Sequence, residues 1–138
     1  MPVLSLDEIR SLCHDAVAAV GACEQQAAAV ALEIMDAEAE GIRNVGLGYI
    51  HLYLKQLKSG KILGKAVPEV DSPSGVITRV DAGYGFCHTA YLAGEELLIG
   101  SAKNHGMGMM AIHRSSSAGV LGWFVRRLAQ QGLVGLMF

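Results

Sequence analysis

The stretch from Met109 to Phe138 constrains the fold most. A short apolar run, Met109 to Ile112, enters a polar turn, Arg114-Ser115-Ser116-Ser117. Leu121, Phe124, Val125 and Leu128 then recur at i, i+3, i+4 and i+7, the spacing of a helix with one apolar face. Gly132 stops that helix, and a second apolar run, Leu133 to Phe138, follows at once. This order predicts strand, turn, helix, strand, with the two strands parallel, because a parallel pair needs a crossover helix. Ligands in such sheets sit at the carboxyl ends of the strands, which is where the serine turn lies. The last apolar strand calls for cover by another part of an assembly or by further chain, because exposed strands invite unwanted pairing.

The remainder reads as helices first. Ser5-Leu6-Asp7-Glu8 has the capping-box pattern, and Leu6, Ile9, Leu12, Cys13, Ala16, Val17 and Val20 form the apolar stripe behind it. Gly21 supplies the stop. A second helix is expected from about Glu24 to Glu40, with Val30, Ile34 and Met35 on its buried side. Arg43 to Gly48 is a glycine-rich loop, and a third helix runs from about Tyr49 to Lys58. Lys61 to Ser74 reads as an extended connector with two prolines. Val76 to Val80 is a strand, Thr89 caps a helix from about Ala90 to Asn104, and Met107 to Ile112 is the next strand. The expected class is therefore α/β. A three-helix arm over residues 1–60 precedes a β-α-β-α-β portion over 61–138 with a mainly parallel sheet, the two being parts of one domain.

Composition excludes several classes. Of 138 residues, 51% are hydrophobic and 17% charged, which points to an oligomer interface. A formal net charge of −2 gives no surface for nucleic acid. No apolar run approaches the roughly 20 residues that span a bilayer. The N-terminus lacks a signal-peptide pattern. Three widely spaced cysteines make a disulfide framework improbable, so a cytoplasmic protein is expected.

Two glycine-bounded polar turns, Arg43 to Gly48 and Arg114 to Gly119, are the places for chemistry, with Asn44, Ser115, Ser116 and Ser117 as hydrogen-bond partners. A helix start after the serine turn presents free amides to an anion. The same residues also simply cap and turn. Gly83-Tyr84-Gly85 lacks the third glycine of a dinucleotide fingerprint. No histidine has a metal-ligand spacing to another His or Cys. A Ser–His hydrolase is disfavoured by the missing GxSxG elbow. Cys87-His88 reads as a buried cysteine rather than a nucleophile.

Taken together, AEAEGIR, GLGYIHLYLKQLKSGKI, VPEV, VDAGYGF, AKNHGMGMMAIHRSS and GVLGWF…GLVGL resemble the N-terminal part of the malate/L-lactate dehydrogenase family that lacks a Rossmann fold. The resemblance implies hydride transfer between NAD or NADP and a 2-oxo acid or cyclic imine, in an intertwined homodimer. It also implies that this chain is truncated, with much of the cofactor site lying beyond Phe138. The family's general acid/base histidine corresponds to Val45, and the histidine of its later turn to Ser117. A carboxylate-binding arginine corresponds to Tyr49. His51 and His113 are weak substitutes. The resemblance thus implies a substrate side made of Asn44, Tyr49, Ser115, Ser116 and Ser117, and little or no turnover, because general acid catalysis is worth roughly a hundred- to ten-thousand-fold. The alternatives are a non-catalytic oligomerising relative, or one half of a split enzyme whose second chain covers the C-terminal strand.

Overall fold

The computed structural model describes residues 3–116 and 118–138. Among the described residues, five α-helices and three strands are arranged as α1 (Leu6–Ala19), α2 (Glu24–Ala39), α3 (Ile50–Lys58), β1 (Glu69–Ser74), β2 (Ile77–Asp81), α4 (Cys87–His105), β3 (Met109–His113) and α5 (Leu121–Gln130). A 3-10 turn, Leu47–Tyr49, leads into α3.

Local signals in the sequence set most boundaries. Ser5 and Glu8 form the reciprocal capping box of α1. Gly21, Gly60 and Gly106 follow α1, α3 and α4 with φ of +100°, +73° and +79°, a region that side chains disfavour. Along α2, Ala27, Val30, Ala31 and Ile34 are buried and pack with Ile9, Cys13 and Val17 of α1 and with Tyr53 and Leu57 of α3. Met35 is only half-buried. This core reaches across to Phe86, just before α4. A second core, with Cys87, Tyr91, Leu98, Trp123 and Phe124, joins α4 to α5. Cys13 and Cys87 are buried and Cys23 is half-buried, and all three thiols are free. Helix α4 lies close on the sheet at Gly94, where a Cβ would stand 2.8 Å from Val80 Cγ2 and 2.9 Å from Met110 Cε.

Three expectations are corrected. First, the connector contains β1, which pairs antiparallel with β2, while β2 pairs parallel with β3. The sheet is mixed, in the order β1-β2-β3, rather than mainly parallel. All six residues of β1 are exposed, so it carries no apolar alternation by which to be read. Its Pro73 fits an edge strand, where a missing N–H costs no ladder bond.

Second, Leu133–Phe138 is not a strand. It keeps a strand's alternation, with Leu133, Gly135 and Met137 turned inward. Val134, Leu136 and Phe138 stand out almost fully exposed. It lies back on α5, where a Cβ at Gly135 would come 2.9 Å from Leu128 Cδ1. A strand needs a ladder partner about 4.8 Å away, and among the described residues no strand pairs with it.

Third, Thr89 does not cap α4. The helix begins at Cys87, and Thr89 Oγ1 donates to Gln26 Oε1 at 3.2 Å. A buried glutamine outcompetes the capping role.

Candidate functional site

The carboxyl ends of β2 and β3 lie side by side, with Asp81 opposite His113 in register. Beyond them the two chains stay tied. Ala82 N–H donates to His113 O at 3.0 Å, Tyr84 N–H to Arg114 O at 2.6 Å, and Ser116 N–H to Gly85 O at 3.0 Å. Two non-glycine residues here have positive φ, Tyr84 at 63° and Arg114 at 49°. Such conformations persist only where the surroundings over-determine them. Asp81 supplies the restraint: its Oδ1 accepts from Gly83 N–H at 2.9 Å and from Arg114 Nε at 2.8 Å, and its Oδ2 from Arg114 Nη2. The Arg114 guanidinium also lies 5.4 Å over the Tyr84 ring. The Arg114 hydrogen bonds, then the Gly83 amide, hold the Asp81 carboxyl down to about 2.

The serine turn sits at this edge. Ser116 Oγ accepts from Cys87 N–H at 3.4 Å, at the start of α4. Burial pushes the Cys87 thiol up, while the Ser115 side chain pulls against it. Ser115 is exposed and Ser116 half-buried. Ser117 lies outside the described residues.

The other predicted turn is held separately. Leu47 N–H donates to Glu38 Oε1 at 2.7 Å, and Gly46 packs against the same carboxylate. Asn44 is exposed, and Val45 and Tyr49 are half-buried. Helix α2 links the two turns: Glu38 holds the first, and Glu33 accepts Val120 N–H at 3.1 Å after the second. His51 and His113 are exposed. Tyr49 meets Tyr53 edge-on, with ring centroids 5.0 Å apart.

Beneath the serine turn lies a group that sequence reasoning missed. Glu33, Tyr53 and His88 are fully buried. Burial pushes the Glu33 carboxyl up to about 7, against the Val120 N–H and with help from Asp36. Burial pushes the His88 imidazole down to about 4, against a smaller pull from the Ala118 backbone. Burial likewise raises the Tyr53 hydroxyl. Their signal was a polar pair on an apolar stripe: Gln26 and Glu33 stand seven residues apart on the buried face of α2.

Gly85 of the GxG turn is closed off by the Gln26 amide and Ala66 rather than facing a ligand. An open, mainly apolar groove of about 550 Å³ is lined by Val20, Leu57, Ile62, Leu63 and Val67 and reaches Gly83, next to the tie between Tyr84 and Arg114. Among the described residues no three His, Cys, Asp or Glu side chains are placed to hold a metal ion. No helix among them is long and apolar enough to cross a membrane.

The family described as malate/L-lactate dehydrogenase matches residues 4–138. The (2R)-3-sulfolactate dehydrogenase (NADP(+)) of Chromohalobacter salexigens is 38% identical over 136 residues, covering 99% of this chain and 40% of the relative. The Δ1-pyrroline-2-carboxylate reductase of Ancylobacter novellus is 37% identical over 110 residues, covering 80% of this chain and 32% of the relative. Among solved structures, Δ1-piperideine-2-carboxylate reductase from Pseudomonas syringae pv. tomato superposes with a TM-score of 0.93 at 31% identity, over 96% of this chain and 40% of that one. The chain thus spans about 40% of the length of several relatives that it matches.

Proposed function

The chain belongs to the malate/L-lactate dehydrogenase family, and from that premise we propose that it is part of a cytoplasmic, nicotinamide-dependent oxidoreductase acting on 2-oxo acids or cyclic imino acids. Its own turnover is weak or absent. The observation that carries this reading is the match across nearly the whole chain, with the serine turn standing at the carboxyl ends of the parallel pair β2 and β3. Asn44, Tyr49, Ser115, Ser116 and Ser117 bind the substrate by hydrogen bonds. Reduction of a carbonyl or imine also requires a proton at oxygen or nitrogen. Val45 has none to give, and a serine hydroxyl titrates far above neutral pH. The resemblance implies a nicotinamide, NAD or NADP, with much of its site contributed by residues outside this sequence.

A second reading rests on a separate observation. Val134, Leu136 and Phe138 present an apolar face that nothing among the described residues covers. We propose that a second chain covers it, either another copy in a dimer or the complementary part of a split enzyme.

Titration of the purified chain with NADH and with NADPH, followed by Trp123 emission and nucleotide fluorescence, tests the first reading. The expected result is no turnover with 2-oxo acids or cyclic imines and no saturable binding below millimolar nucleotide. Micromolar binding with turnover would overturn the prediction of inactivity. His51 and His113 would then be substituted in search of the proton donor.

A further inference from the structure

Glu33 of α2, Tyr53 of α3 and His88 of α4 converge from three helices beneath the serine turn. Glu33 Oε1 accepts the Val120 N–H at 3.1 Å, and Glu33 Oε2 lies 3.8 Å from His88 Nε2. Glu33 Oε2 and Tyr53 Oη have no partner among the described residues, and the His88 ring nitrogens have only a loose approach from the Ala118 backbone. Gly119 closes the group from above. Its φ is +64°, and a Cβ there would stand 2.8 Å from Glu33 Oε1 and 3.1 Å from Tyr53 Oη. Buried polar atoms without partners are costly. Apolar residues would pack this space without that cost, so the arrangement asks for a reason beyond stability.

We propose that Glu33 is the positioning residue of the serine turn, and that Glu33 and His88 share one proton whose place decides how firmly the turn is held. This rests on the reading of that turn as the substrate side of a reductase. With the carboxylate ionised, Oε1 is a charge-assisted acceptor for Val120 N–H, the stronger kind of bond. With Oε2 protonated, that oxygen faces His88 Nε2 across 3.8 Å, beyond hydrogen-bond reach as the side chains stand, and Oε1 becomes a weaker carbonyl acceptor. The proton passes between Oε2 and Nε2 when the two side chains close that gap, or to solvent when the turn opens, and no bond between heavy atoms forms or breaks.

The surroundings leave this pair to set its own state. From α2, Asp36 adds negative charge near Glu33. From α3, Tyr53 offers a neutral hydroxyl, and from α4, Cys87 a neutral buried thiol. From α5, Trp123 and Phe124 pack on His88 at 5.8 and 5.7 Å. Arg126 pairs with Asp36 and Glu40, and Arg127 with Glu95. Neither arginine is paired with Glu33. The carboxyl raised to about 7 and the imidazole lowered to about 4 agree with a proton resting mainly on Glu33 below neutral pH.

The test is NMR on the full chain carrying 13C at the glutamate side-chain carboxyls, titrated from pH 5 to 9, with the Gly119 and Val120 amides followed in parallel. One carboxyl should titrate near neutral pH, and both amides should move with the same midpoint. In Glu33→Gln that resonance should vanish and the amides should lose their pH dependence. Carboxyls that all titrate near about 4.3, the ordinary glutamate value, would overturn the proposal. So would amides indifferent to Glu33. If Glu33→Gln does not fold, His88→Gln serves: it must move the midpoint, and an unchanged midpoint refutes proton sharing. A coupled titration in a chain whose assembly, once completed by the covering chain, reduces neither 2-oxo acids nor cyclic imines would sink the reductase reading while leaving the positioning role standing.

Discussion

The carboxylate of Glu33 and the backbone amide of Val120, 87 residues apart in sequence, meet at 3.1 Å and join helix α2 to the turn that starts α5. Glu38, on the same helix, does the same for the Leu47 amide. One helix therefore sets the geometry of both turns from which the family resemblance draws its substrate residues.

Stability should carry the signature of the buried pair. The Glu33 carboxyl is raised from 4.5 to about 7, so the folded state holds that proton more tightly than the unfolded chain. Stability from this group therefore falls as pH rises between about 4.5 and 7. His88 is lowered from 6.5 to about 4, so its contribution is lost as pH falls through that range. The two slopes oppose each other between about 4.5 and 6.5. Urea unfolding of Glu33→Gln beside the parent should show the variant gaining relative stability from pH 4.5 to 7, by on the order of 3 kcal/mol. Parallel curves would mean that Glu33 does not titrate in this window.

Gly119 and Gly122 should respond oppositely to alanine. At Gly119 a Cβ meets Glu33 Oε1 at 2.8 Å with φ at +64°, so Gly119→Ala should cost about 1–3 kcal/mol. Gly122 lies in the first turn of α5, where the nearest atom to a Cβ is 3.7 Å away, so Gly122→Ala should be neutral or stabilising by up to about 1 kcal/mol. Chemical denaturation of the two variants decides it. Equal losses would show that the turn has no special fit over Glu33.

Val45→His restores the residue that the resemblance places there. In whatever assembly reduces a 2-oxo acid or cyclic imine, turnover should rise by roughly a hundred- to ten-thousand-fold. Steady-state assays at saturating nicotinamide read this directly. An unchanged rate would remove position 45 from the proton path.

Leu136→Asp should change association rather than folding. Leu136 is 85% exposed, and Val134 and Phe138 flank it on the same face. Sedimentation velocity of the parent should show a concentration-dependent larger species that the variant lacks, with unfolding midpoints alike. A parent that stays monomeric at every concentration would leave the face to a different chain.

Features carried by a few neighbouring residues were legible in the sequence. The Ser5–Glu8 box and the glycines after α1, α3 and α4 act within one helical turn, so their chemistry is local. What escaped depends on distant partners. β1 exists because β2 offers it a ladder, and Leu133–Phe138 is not a strand because none does. Thr89 is claimed by Gln26, 63 residues away, and the positive φ of Tyr84 and Arg114 follows from their tie through Asp81. Asn44, Ser115 and Ser116 lie on the two expected turns and Tyr49 just after the first, and both turns are held by α2, whose Glu33 reads in isolation as an ordinary surface acid. Its position on an apolar stripe, seven residues after Gln26, is the cue to look for.

The unequal burial of the three cysteines turns the chain into its own clock. Cys13 is fully enclosed and burial, then Glu38, pushes its thiol up to about 11, while Cys87 is shielded in the second core. Only Cys23 is partly open. A thiol reagent should mark Cys23 at once and then wait for the others. The delay at Cys13 measures how often the helical core opens, and the delay at Cys87 how often α4 lifts from α5, both in water without denaturant.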